Sequence, residues 1–251
     1  ENTAAEFQQL SCSVNHMLDR LALSFDLQRQ FAGNAAHELR TPLAMMQTKL
    51  ELFTEEHSDV DAETSKLVQF QIDQVERLTS LVRTLLEMSN LQSVSRSDEI
   101  ELAPLIDEIL TDLTTLAEQK NITLHQNCED VHMIGSDTLI YRLLFNLIEN
   151  AIKYNHSGGS VTVSMQQEDQ QVLLHIADTG CGIPEKYRES IFQPFFRVDK
   201  SRSRQMGGVG LGLALVREIA VLHGGSVCVE PSSKDGTTFA VKLPLNGEKT
   251  E

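Results

Sequence analysis

The sequence runs to 251 residues, 41% of them hydrophobic, with 21 basic against 36 acidic side chains and a net charge of −15. That length allows one large domain or two modest ones, and that charge excludes a sequence-independent grip on nucleic acid or anionic lipid, whose phosphates would repel it. Cys12, Cys128, Cys181 and Cys228 form no C-x-x-C pair and no metal-ligand spacing, so reduced thiols in a reducing compartment are expected. No apolar run approaches the roughly 20 residues that span a bilayer, and residues 1–30 lack a basic segment followed by an apolar one.

The chain opens inside a helical pattern, from which an upstream part is expected. Leu10, Val14, Met17 and Leu21 step by 4, 3 and 4, a stripe that forms a coiled-coil seam when sustained. The stripe continues through Phe25, Phe31, Ala35, Leu39, Leu43, Met46, Leu50 and Phe53, predicting a helix to about Thr54. Pro42 removes a backbone donor inside it, so a kink is expected just after His37. Glu55 to Asp59 is polar and ends this helix. A second periodic segment, from Leu67 to Leu91, carries an apolar stripe too wide for one shallow contact. The two helices make a hairpin whose apolar faces are covered when it dimerises into an antiparallel four-helix bundle.

Ser93 to Asp98 is small and polar and reads as a linker. Beyond it Pro104 opens a helix to about Gln119, Ile122–Gln126 is a strand and Asp137–Tyr154 a helix with one apolar face. Strands are predicted at Ser160–Met165, Gln171–Ala177, Ser226–Glu230 and Thr238–Leu243, with a helix at Leu211–Leu222. Strands that mostly neighbour one another, rather than alternating strictly with helices, predict an α+β sandwich.

Chemistry concentrates in a few places. His37, followed by Glu38, lies between apolar seam positions on a helix. A neutral imidazole is a nucleophile towards phosphorus, and Glu38 could orient the ring or take its proton; alone, such a pair is an ordinary surface feature. Asn146 and Asn150 share a helix face, with Lys153 three residues on. Amide oxygens suit Mg²⁺, and a lysine offers a point charge to phosphates. Asp178-Thr179-Gly180-Cys181-Gly182 ends a strand in two glycines that permit a tight turn. Gly207-Gly208-Val209-Gly210-Leu211-Gly212 opens a helix, whose free N–H groups favour phosphate. It fits neither the Rossmann fingerprint nor the P-loop.

The run His37-Glu38-Leu39-Arg40-Thr41-Pro42-Leu43 resembles the H-box of the sensor histidine kinases, and Asn15 to Leu21 is similar to the end of the HAMP relay module that precedes it. Residues 146–154, 178–183, the phenylalanine-rich 191–197, 207–213 and 236–239 resemble, in order, the boxes of the ATP-binding domain shared by histidine kinases, Hsp90-type chaperones, type II topoisomerases and MutL proteins. The resemblance implies a relay remnant over 1–24, a dimerisation and phosphotransfer hairpin over 25–93, and a Bergerat (GHKL) sandwich over 98–247. It implies ATP and Mg²⁺ as cofactors, a homodimer, a response-regulator receiver domain as partner, and attachment to a membrane only through an upstream segment, with this part cytoplasmic.

Carried over residue by residue, the resemblance makes His37 the phospho-acceptor, Glu38 the general base, and Thr41 the residue that positions water for dephosphorylating the partner. It gives Asp178 the adenine amino group and Asn146 the metal. Asn150, Lys153 and Tyr154 would contact phosphates or ribose, and Arg197 would approach the γ-phosphate. Gly180, Gly182, Gly208, Gly210, Leu211, Gly212 and Thr237 would line the nucleotide, and residues 198–210 would form a lid. Val209 and Cys181 depart from the family's usual residues, with modest effects expected because backbone atoms bind there; Cys181 is read as an inert thiol or a redox sensor. A clamp-type ATPase without phosphohistidine and a scaffold that has lost catalysis are the competing readings.

Overall fold

The computed structural model describes residues 33–36, 38–57, 60–198, 210–231 and 236–246, in two compact units that divide between Asn90 and Leu91. The first unit is a helical hairpin. Helical backbone covers residues 33–36 and 38–56, the latter stretch labelled α1, and α2 covers Ala62–Asn90. Pro42 lies within α1, where its missing N–H leaves the Glu38 carbonyl without the usual intrahelical donor. The stretch where the kink is expected, just after His37, is helical without interruption from residue 38 to 56; His37 itself lies outside the described residues.

Asp61 starts α2. Its Oδ1 accepts the N–H groups of Glu63 and Thr64, both at 2.9 Å, and its Oδ2 accepts the Thr64 hydroxyl at 2.7 Å, so donors that would be orphaned at a helix start are satisfied. Ala36, Leu43, Val75, Val82 and Leu86 form the hairpin's own core, with Leu50 and Leu85 against it. Leu67 and Phe70, on the same α2 stripe by spacing, are 60% and 56% exposed.

The second unit is a two-layer sandwich. Its main sheet has the order β2 (Thr123–Cys128), β4 (Ser160–Glu168), β5 (Gln171–Asp178), β7 (Thr237–Pro244), β6 (Ser226–Val229). The β2–β4 pair is parallel and the other pairs antiparallel. Alternate residues Val161, Val163, Met165, Val172, Leu174, Ile176, Phe239, Val241 and Leu243 are buried, as the two-residue period of a strand requires when one face is covered. The cover is three helices: α3 (Leu102–Gln119), α4 (Asp137–Lys153) and α5 (Gly212–Leu222). In α4, Leu139, Ile140, Leu143, Leu144, Leu147, Ile148, Ala151 and Ile152 are buried at helical spacing.

The structure adds a two-stranded antiparallel sheet of β1 (Asp98–Glu101) and β3 (His132–Gly135). The sequence reading placed Asp98 at the end of a linker and saw no strand near 132. Each strand is four residues long, and the buried pair Ile100 and Met133 face each other across the ladder.

Candidate functional site

The C-terminal half of α4 carries Asn146, Asn150 and Lys153, and Tyr154 is its C-cap. The Asn146 Nδ2 donates to the Arg142 carbonyl at 2.8 Å, which fixes the amide, and its Oδ1 faces the first residue of α5. A Cβ added to Gly212 would come within 2.6 Å of that oxygen, so a larger residue there would have to push the amide off its bond to Arg142. Lys153 Nζ pairs with Glu149 Oε1 at 2.8 Å, one turn back. The carbonyl of Lys153 accepts the Lys120 ammonium at 2.6 Å, a cation at a helix C-terminus. Burial, helped by the Lys153 charge, pushes Lys120 below the ordinary lysine range.

Asp178 ends β5 and pairs across the ladder with Thr237 of β7. Its Oδ1 accepts the Gly180 N–H at 2.7 Å and the Thr237 N–H at 3.3 Å. Burial nevertheless pushes the carboxyl above its ordinary range, outweighing these bonds. Gly180 turns the chain back onto the end of α4: a Cβ there would lie 2.6 Å from the Tyr154 carbonyl and 2.8 Å from Asp178 Oδ1. Gly236, at φ 108°, would meet the Asp178 carbonyl. Gly182 also has a positive φ, 69°.

A polar knot missed by the sequence reading sits beside this turn. The Thr179 hydroxyl accepts the Ser160 N–H at 2.9 Å and donates to Asn155 Oδ1 at 3.2 Å, while Asn155 Nδ2 donates to the Ser160 carbonyl at 3.0 Å. It ties the Asp178 turn to the residues following α4. Asn155 and Thr179 are too common in turns to be singled out; their bonds span 5 to 24 positions.

Gly210, two residues before α5, packs against the phenylalanine-rich turn. The Phe195 N–H donates to the Gly210 carbonyl at 2.8 Å. A Cβ on Gly210, at φ 82°, would lie 2.8 Å from the Phe196 carbonyl and 3.2 Å from Arg197 Cγ. Leu211 is buried at the N-cap and Gly212 opens α5. Among the described residues no side chain caps this helix start, which lies beside Asn146, and the N–H groups of a helix start suit phosphate.

The predicted residues therefore gather in two linked places on α4: Asn146 with Gly212, and Tyr154 with Gly180, Asp178 and Thr237. Glu38 and Thr41 are exposed on α1, in the other unit. His37 and Gly208 lie outside the described residues, as does most of the expected lid. Among the described residues, no three His, Cys, Asp or Glu side chains cluster as a metal site.

The family model for the histidine kinase-, DNA gyrase B- and HSP90-like ATPases matches residues 135–247. The model for the His Kinase A phospho-acceptor domain matches residues 27–94. The chain belongs to the sensor histidine kinases. The sensor histidine kinase RppB of Synechocystis sp. (strain ATCC 27184 / PCC 6803 / Kazusa) is 35% identical over 228 residues, 88% of this chain and 50% of the relative.

Among solved histidine kinases, ThkA in complex with response regulator protein TrrA aligns with a TM-score of 0.62 at 26% identity, over 88% of this chain and 62% of that one. Full-length ShkA in complex with AMPPNP shares the fold, with a TM-score of 0.71 at 23% identity over 87% of this chain and 46% of that one. The chain spans about half the length of the curated kinases it matches, 50% and 53% for the first two. Residues 1–24, read as a HAMP remnant, precede both family matches and lie outside the described residues. No described helix of this chain is long and apolar enough to cross a membrane.

Proposed function

We propose that this chain is the core of a sensor kinase that moves the γ-phosphoryl group of ATP to His37 and then to an aspartate of a response regulator. The observation that carries the reading is the convergence on α4, where Gly212 seats against Asn146 and Gly180 against Tyr154. That convergence supports a single nucleotide site along α4, with phosphates towards Asn146 and adenine at the Asp178 turn. The phosphotransfer region is taken as residues 25–93 and the catalytic domain as 98–247.

Asp178 accepts the adenine amino group on a carboxylate already oriented by two backbone donors, with Thr237 and the turn at Gly180 and Gly182 beside it. The backbone of Gly208 to Gly212 receives the phosphates, with Asn150, Lys153 and Tyr154 at phosphate or ribose and Arg197 at the γ-phosphate. Lys153 can leave Glu149, since an i,i+4 ion pair on a helix surface, here 30% and 27% exposed, holds by only about 0–1 kcal/mol. Asn146 Oδ1 fits a hard cation that keeps waters and shares phosphate oxygens, and the Arg142 carbonyl fixes the amide so that oxygen, not nitrogen, faces Gly212. When bound, Mg²⁺ neutralises charge developing on the transferred group.

His37 contributes the nucleophile. Its neutral ring nitrogen forms the N–P bond as the bond from phosphorus to the bridging oxygen breaks and ADP departs. Glu38 takes the ring proton. The phosphoryl group then passes to the regulator's aspartate, and Thr41, one helical turn from His37, orients water for the opposing phosphatase reaction. The hairpin's exposed apolar stripe supports a homodimer, and the ThkA–TrrA complex supports a regulator as partner.

Incubation with γ-³²P-ATP tests the reading. The unaltered chain should acquire acid-labile label, and His37→Gln should acquire none while still binding nucleotide. Stable label on His37→Gln would overturn the assignment of the acceptor.

A further inference from the structure

Helices α4 and α5 also touch at the end remote from the glycines, through a histidine that the reading above leaves idle. His223 caps α5 and is 5% exposed. Its Nε2 lies 3.0 Å from the Ser136 N–H and its Nδ1 lies 2.8 Å from the Ile219 carbonyl. A backbone N–H can only donate, so Nε2 carries the lone pair and Nδ1 the proton, which it gives to Ile219. The neutral ring is thereby satisfied on both sides.

Ser136 is the N-cap of α4, 1% exposed, and its own side chain makes no capping bond. The imidazole from α5 serves the buried donor that starts α4. The ring has little room to shift, since a Cβ on Gly135 would lie 2.9 Å from its Cδ2 and 3.1 Å from its Nε2.

The two helices are therefore fixed to each other twice, antiparallel: Gly212 against Asn146 at one end, His223 against Ser136 at the other. The two contacts are ten residue steps apart along α4, from Ser136 to Asn146, about 15 Å at 1.5 Å per residue. We propose that His223 is a positioning residue for nucleotide binding, setting the register of α5 along α4 and hence the seat of Gly210 to Gly212 against Asn146, and that its protonation releases that register. The inference rests on the reading of Asn146 and Gly212 as part of the ATP site.

A protonated ring has no lone pair for Ser136 and would set two N–H groups face to face in a buried place. Burial first, and then the Arg96 guanidinium, hold His223 below the ordinary histidine range, against the Ile219 bond that raises it. On the other elements that meet at this helix end, Asp98 of β1 accepts the Asp137 N–H of α4 at 3.2 Å. The α5 charges Arg217 and Glu218 are exposed.

The test is calorimetric titration of the whole chain with Mg-ADP at pH 8 and pH 5.5, with circular dichroism at each pH. His223→Gln keeps an acceptor for Ser136 but does not titrate, so it should bind within about threefold of the unaltered chain at pH 8 and lose less affinity on acidification. His223→Leu should bind about tenfold more weakly at pH 8 with native dichroism, and Gly135→Ala, which presses on the ring without removing it, should fall between. Should His223→Leu fail to fold, the Gln pH profile and Gly135→Ala decide. Equal affinities for the folded Leu or Ala variant and the unaltered chain, or equal pH profiles for Gln and the unaltered chain, overturn the inference alone. An unaltered chain that binds no nucleotide removes the ATP-site reading, and this inference with it.

Discussion

The two units of this chain bury apolar surface by different routes. The C-terminal unit closes on itself: Leu102, Ile106, Ile109, Ile140, Leu143, Leu144, Leu147 and Ile148 are less than 2% exposed. The hairpin cannot, because two helices have only one face to share, and it leaves Leu39, Met46, Leu67, Phe70 and Leu78 about half exposed. A patch of that kind marks an interaction surface. The difference teaches that stability in the ATP-binding unit is a property of its own sequence, whereas stability in the hairpin depends on what covers its stripe.

Breaking the comparison from the self-contained side should give the largest effect. Ile148→Ala opens a cavity between α4 and the sheet and should cost about 2–5 kcal/mol, read as a shift of the urea midpoint of the unit that binds nucleotide. Phe70→Glu attacks the other side. It should halve the mass seen by light scattering and remove any dependence of the hairpin's melting temperature on protein concentration; an unchanged mass would refute the covered-stripe account.

Asp178→Asn separates function from stability within one unit. A carboxyl raised by burial binds its proton more tightly folded than unfolded. Its stabilising contribution is therefore present below the ordinary value, 3.8, and is lost as pH rises from there through the folded value. At pH 8 the ionised group weakens the fold. Asp178→Asn should thus raise the melting temperature at pH 8 and flatten its pH dependence, while reducing affinity for adenine nucleotides about 10- to 100-fold. A melting temperature that falls would show that the two backbone bonds outweigh burial.

The smallest effect belongs to Asp61→Ala, which removes the start of α2 and should lower only the hairpin's melting temperature. Bonds from Thr64 and Glu63 hold Asp61 below the usual carboxylate range, so its contribution is present at neutral pH and fades as pH falls through the folded value. A melt of the unaltered chain across that range should track the loss.

What could be read in the sequence was whatever a short window contains. The helical spacing in α4 and the strand alternation from β4 to β7 gave elements whose bounds differ from the observed ones by few residues. The glycine runs also marked Gly180 and Gly212, which meet the residues of α4 and its C-cap. Features defined by distant partners stayed hidden: β1 and β3 exist only as each other's partner, and Lys120 reaches Lys153 across 33 positions. His223 meets Ser136 across 87 positions, with nothing in either neighbourhood to mark the other. Asp61 escaped for a different reason, because the acidic stretch just before it masked a capping residue as one more loop charge.

The order of the main sheet leaves β2 and β6 as its two borders. A border strand offers unpaired backbone groups to any passing strand and invites edge-on aggregation. The two borders discourage it differently. β6 has only four residues, too short for much foreign pairing, while β2 exposes Thr123, His125, Gln126 and Asn127 in place of the β-branched apolar residues that feed fibrils. Converting His125 and Asn127 to valine would leave every residue named in phosphoryl transfer untouched and still shorten the chain's life in concentrated solution.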